Sequence, residues 1–103
     1  MIRVVCKAKL KPDVKVEDYL ILAQEVVAET RKEKGCIGYI PTADIDVKLP
    51  SQALDKNVVT ILEQWENVEA LHAHLGSPHM REYRERVKNL IESVSLKVLQ
   101  EVN

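Results

Sequence analysis

The 103 residues predict an α+β fold, a four-stranded antiparallel sheet carrying helices on one face. Three observations predict it. Apolar residues recur at every second position near both ends of the chain and again in its middle. Two stretches between those segments change to a period near 3.6. The middle strand is apolar on both faces, which asks for a cover on each side.

Ile2, Val4, Cys6, Ala8 and Leu10 share one face of an extended first segment, and Arg3, Val5, Lys7 and Lys9 take the other, until Pro12 ends it. From 16 to 34, Val16, Leu20, Ala23, Val26, Val27 and Thr30 follow helical spacing, with Gly35 placed to stop the helix. Residues 36–43 are β-rich, and Pro41 marks an edge or a bulge. Residues 44–57 hold Pro50, Ser51, Asp55 and Asn57 without a period; they predict a loop, with room for one helical turn over 51–54. Residues 58–65 form the two-faced strand: Val59, Ile61, Glu63 and Trp65 against Val58, Thr60, Leu62 and Gln64.

Asn67 can cap a short helix with Val68, Leu71 and Leu75 on its apolar side and Gly76 at its end. Ser77 and Pro78 then start another helix, with the stripe Met80, Tyr83, Val87 and Leu90 or Ile91. Val94, Leu96, Val98 and Val102 alternate with Ser95, Lys97, Leu99 and Glu101 in a closing strand. The order is that of a ferredoxin-like βαββαβ sandwich, one domain over residues 1–103, without repeats or low-complexity segments. Its uncovered sheet face is best sealed by a second copy, giving a dimeric α/β barrel.

Composition narrows function. Hydrophobic residues make up 46%, enough for a core, while the net charge of −1 and pI near 6.3 give no electrostatic case for nucleic acid or an anionic membrane. The N-terminus lacks a basic segment followed by an apolar run, and no apolar stretch is long enough to span a bilayer. Cys6 and Cys36 have no C-x-x-C spacing. These features predict a cytoplasmic protein with reduced thiols.

Glu33-Lys34-Gly35-Cys36 with Tyr39, then Glu63-Gln64-Trp65, then Glu69-Ala70 with His74, and finally Ser77-Pro78-His79 resemble the E-P-G-C-x-x-Y, E-x-W, E-A-x-x-x-H and S-x-H pattern of the antibiotic biosynthesis monooxygenase (ABM) domain. The likeness is strongest to its small quinol-monooxygenase-like members. It implies a homodimer with a pocket in each subunit between sheet and helices, and oxidation of a small quinol or polycyclic hydroxyaromatic by dioxygen with no flavin and no metal. A non-catalytic dimer that binds a small aromatic ligand, and the family's isomerase branch, are the alternatives. Lys34 replaces the usual proline, and the segment from Tyr39 to Glu63 is several residues longer than usual. Cys6 stands where the haem-degrading branch has asparagine, and Arg84 stands near its haem-ligating histidine, which disfavours haem degradation.

Oxygenation without a cofactor needs a base near neutral pH, donors for an oxyanion and a dry pocket. His74 and His79, both at family-matched positions, are the candidate catalytic bases, though histidines beside a Gly-Ser-Pro turn also serve as caps. Their spacing offers a metal no obvious third ligand. Trp65 and Tyr39 are the expected pocket walls, with Glu63, Cys6 and Tyr83 as further substrate contacts. Each also has a structural reading: Trp65 as the largest core residue, Glu63 paired with a buried polar group, Cys6 as a small hydrophobe and Tyr83 as core with its hydroxyl at the edge. Arg81, Arg84, Arg86 and Lys88 interleave with Glu82 and Glu85, the pattern of a solvated, ion-paired face. The isomerase alternative would need Arg81 or Arg84 to face the pocket and bind phosphate.

Overall fold

Alternation at the N-terminus produces β1 (Ile2–Leu10), whose residues Ile2, Val4, Ala8 and Leu10 are buried. In the computed structural model, which describes residues 1–102, it is followed by α1 (Val16–Arg31), β2 (Cys36–Ala43), β3 (Val58–Trp65), α2 (Val68–Leu75), α3 (Pro78–Val87) and β4 (Ile91–Gln100). The strands pair antiparallel in the order β2-β3-β1-β4, the ferredoxin-like arrangement, so β1 and β3 are central and β2 and β4 are edges. Pro41 therefore sits on an edge strand, and β2 shifts register between Cys36 and Gly38.

The register sorts the sheet into two faces. The inner one carries the rows Tyr39–Glu63–Val4–Val98 and Pro41–Ile61–Cys6–Leu96; the outer one carries Ile40–Leu62–Val5–Lys97. The helices lie on the inner face, where α1 leans on β2 and on α3. Leu62 and Ile40, on the outer face, are about half exposed.

The first helix ends earlier than its periodicity predicts. The amides of Lys32 and Glu33 reach back only three residues, to Glu29 and Thr30, and this tightened turn releases the chain before residue 34. Gly35 instead serves the turn into β2. Its φ is +86°, and a Cβ there would lie 2.5 Å from the Cβ of Ala70 on α2. The buried stripe of α1 differs from its periodicity only in the first turns: Tyr19 joins Ala23, Val26, Val27 and Thr30 inside, while Val16 and Leu20 are partly buried against the core.

Ile91 belongs to β4 and not to the stripe of α3. The Leu90 amide bonds Val87 O, and Lys11 N donates to Leu90 O, so the chain has already turned to pair with β1. That strand closes at Gln100, before Val102. Asn67 caps α2 as expected, its side chain accepting from Ala70 N at 2.9 Å. Residues 44–57 contain no helical turn. Gln52 N donates to Leu49 O, and the Gln52 side chain ties Val47 N and Ile45 O together, which holds the loop in an irregular form.

Candidate functional site

Above the inner face lies a cavity of about 330 Å³. Its floor is Cys6, Ala8, Ile61 and Glu63, with Tyr39 and His74 beside them. Tyr19, Met80, Tyr83 and Val87 descend from α1 and α3, and Ile91, Val94 and Leu96 form the wall toward β4. The space exists because α1 leans toward β2, which leaves the inner side of β4 without a helix; Leu96 stays 49% exposed on a face that elsewhere is core. Arg84 and Lys88 stand at the rim.

The lining is apolar except for a few groups. The Tyr19 and Tyr83 hydroxyls share a hydrogen bond between α1 and α3. Burial pushes the Tyr39 and Tyr83 hydroxyls far above the usual phenol range and the Cys6 thiol up to about 11, so Cys6 stays protonated and is no nucleophile at neutral pH. Glu63 is 5% exposed. Its carboxyl accepts from Trp65 Nε1 at 3.0 Å, yet burial outweighs that bond and carries its pKa up to about 7.

His74 closes α2 and is buried, its ring centroid 4.7 Å from that of Trp65 and 5.4 Å from that of Tyr39. Its Nδ1 lies 2.8 Å from Glu33 Oε2. A carboxylate at that atom keeps the proton on Nδ1 and leaves Nε2, unbonded among the described residues, as the acceptor. Burial holds the His74 pKa below its ordinary value, against the upward pull of Glu33, so the ring is neutral near pH 7. Ser77, rather than capping α3, donates its hydroxyl to His74 O at 2.7 Å.

The structure thus brings Tyr39, Glu63, Cys6, Tyr83 and His74 to one cavity. Trp65 is not on its surface. It is fully buried beside the cavity, two residues along β3 from Glu63 on the same face, where it holds Glu63 by its indole N–H and packs its ring against that of His74. His79 lies on the far side of Glu33, with Nε2 2.9 Å from Glu33 Oε1, and lines a separate shallow groove between α1 and α3. Of the arginines, Arg84 reaches the rim and donates to Leu75 O, Arg86 pairs with Glu25, and Arg81 is exposed and off the cavity.

Two members of the cluster escape the sequence reading. Tyr19 keeps the i, i+4, i+7 spacing with Ala23 and Val26, so its inward direction was available from the periodicity. Glu33 stands in the quoted motif, but its role depends on a contact across 41 residues that no local pattern carries. It also supplies the third ligand atom absent from the spacing of the histidines: Glu33, His74 and His79 offer three donors within 4.8 Å of one another.

Comparison with known proteins agrees with this architecture. Over 76 residues, 74% of this chain and 73% of the relative, the sequence is 36% identical to the Escherichia coli K12 protein named "Probable quinol monooxygenase YgiN". The crystal structure of a conserved protein from Methanosarcina mazei Go1 superposes with a TM-score of 0.82 at 26% identity, covering 98% of this chain and 92% of that one. Rv0793 from Mycobacterium tuberculosis superposes at 0.81 with 25% identity, covering 99% and 95%. Residues 1–86 match the family described as antibiotic biosynthesis monooxygenase. With that match over most of its length, the chain belongs to the antibiotic biosynthesis monooxygenase family.

Proposed function

We propose that this protein is a cofactor-independent monooxygenase that oxidises a small quinol or related hydroxyaromatic with dioxygen, and that it works as a homodimer in the cytoplasm. The observation that carries the reading is His74: a neutral imidazole on the wall of an apolar cavity, its tautomer fixed by Glu33 so that Nε2 can accept a proton. The quinol relative in Escherichia coli supports the substrate class.

A quinol hydroxyl gives its proton to His74 Nε2, and the anion gives one electron to dioxygen. The two radicals join in a C–O bond at the adjacent ring carbon, and the protonated His74 returns its proton to the peroxide formed. Loss of the hydrogen on that carbon breaks the O–O bond; one oxygen stays as a new carbonyl and the other leaves as water. Quinol plus dioxygen becomes hydroxyquinone plus water. Glu63, with a pKa near 7, can take the carbon-bound proton, and the apolar walls keep water from the intermediates. The volume suits a flat ring system of one or two rings.

The dimer is supported by the outer face. Val5, Ile37, Ile40, Leu62 and Leu99 surround an apolar depression of about 400 Å³ there, with Arg3 beside it, and an uncovered sheet face of this kind is stable when buried against its copy.

Oxygen uptake by the purified chain with a panel of benzo- and naphthohydroquinones, without added flavin or metal, tests the function. Turnover above autoxidation that falls at least about a hundredfold in His74→Gln is expected. Uptake at the background rate over the whole panel refutes it. Tight binding of a quinol without uptake would then favour the ligand-binding alternative.

A further inference from the structure

We infer that Glu33, His74 and His79 form a binding site for one first-row divalent cation, on the side of His74 that faces away from the cavity. The three ligands come from separate segments: Glu33 from the turn after α1, His74 from the last turn of α2 and His79 from the first turn of α3. Two imidazoles and one carboxylate are the donor set that zinc and ferrous iron take in proteins.

The geometry points to a cation more than to a finished hydrogen-bond network. Glu33 Oε2 is satisfied by His74 Nδ1, but Glu33 Oε1 is buried and has no hydrogen bond among the described residues. His79 Nε2 stands 2.9 Å from that oxygen, out of line for donation, with Ser77 Oγ at 3.3 Å as its other polar neighbour. A sealed carboxylate oxygen without a donor is costly, and a cation between it and the two ring nitrogens would satisfy all three at once. The nitrogen–oxygen separations, 2.8 Å from His74 to Oε2 and 2.9 Å from His79 to Oε1, compare with about 3.0 to 3.4 Å between neighbouring ligand atoms in octahedral or tetrahedral sites with bonds of about 2.1 Å, and the donors, within 4.8 Å of one another, need draw together only slightly to share one ion. His79 and Glu33 are each partly exposed, which gives an ion a path in and leaves positions for water. The packing of His74 against Trp65 and Tyr39 fixes one ligand in place.

Binding would also change the ring. An ion on Nδ1 replaces the proton there and leaves Nε2 carrying N–H, a donor in place of an acceptor, so a bound cation would switch off the base. This consequence rests on the proposed function; the binding itself does not.

The test is titration of Co²⁺ into tag-free, metal-free full chain, followed by visible d–d absorption. Bands that saturate at one ion per chain, are displaced by Zn²⁺ and lack an intense thiolate band are expected. His79→Ala, which alters a ring about a quarter exposed, and Glu33→Gln should weaken the affinity at least about tenfold, while His72→Ala leaves it unchanged. A spectrum that stays that of the aqueous ion overturns the site, as does saturation undiminished in both variants, or a thiolate band placing the ion on Cys6 or Cys36. If quinol turnover exists, Zn²⁺ should abolish it and a chelator should restore it. If turnover is absent, the spectra still decide the site.

Discussion

Replacing Glu63 by glutamine should remove a pH dependence that the buried carboxyl imposes on folding. The unfolded chain ionises this group near 4.5, the fold near 7. Below pH 4.5 both states are protonated and the group has no effect. Between 4.5 and 7 the unfolded chain sheds the proton while the fold keeps it, so stability falls as pH rises, and above 7 the whole penalty is present. At about 1.4 kcal/mol for each tenfold change in proton affinity, that penalty is about 3 kcal/mol. The glutamine side chain matches the shape of the carboxyl, can accept from Trp65 Nε1 and has no proton to lose. Urea unfolding of both proteins at pH 4.5 and pH 8, at one fixed chain concentration because association adds to stability, measures the difference. The Glu63→Gln variant should gain about 3 kcal/mol on the parent between the two pH values. A gap that stays constant within about 1 kcal/mol would mean that the carboxyl ionises normally, and the dry cavity on which the chemistry depends would be refuted.

Trp65→Phe removes the N–H that holds the ionised form of Glu63, so the carboxyl pKa should rise further above 7, as read by carbon NMR of the labelled side chain; an unchanged value would deny the bond its role. Thr30 is fully buried and its Oγ1 has no partner among the described residues, so Thr30→Val should raise stability by about 1 kcal/mol, a shift of several degrees in Tm; a loss would show that the hydroxyl is satisfied. Gly35→Ala should cost at least about 2 kcal/mol, and the double change with Ala70→Gly should recover only the part due to contact, leaving that due to the +86° backbone; full recovery in chemical denaturation would exclude backbone strain. Leu62→Lys should turn the proposed dimer into monomer in sedimentation with its circular dichroism unchanged, and a dimer that persists removes the outer face from the interface.

The strands and the apolar character of both faces of β3 were legible because period-two alternation is a local property, and the outer row Ile40–Leu62–Val5 is apolar as that alternation expects. Helix ends were less legible, since Gly35 answers to α2 through Ala70 and not to the helix before it. That displacement decides where Glu33 stands. If α1 ran through residue 34, Glu33 would lie on a helical turn; the three-residue closure at Lys32 and Glu33 releases it to meet His74. The same limit applies to Trp65: the motif and the face it shares with Glu63 marked it as a wall, whereas its place opposite Ile2 and Cys36 buries it beside the cavity as the largest core residue, the other reading its size allowed, where it aims Glu63 and His74. A cavity wall has to be left uncovered by something, and here that is β4: α1 leans on the opposite edge of the sheet, so Val94 and Leu96 keep their apolar faces open and the polar groups of the inner face converge on the space they leave.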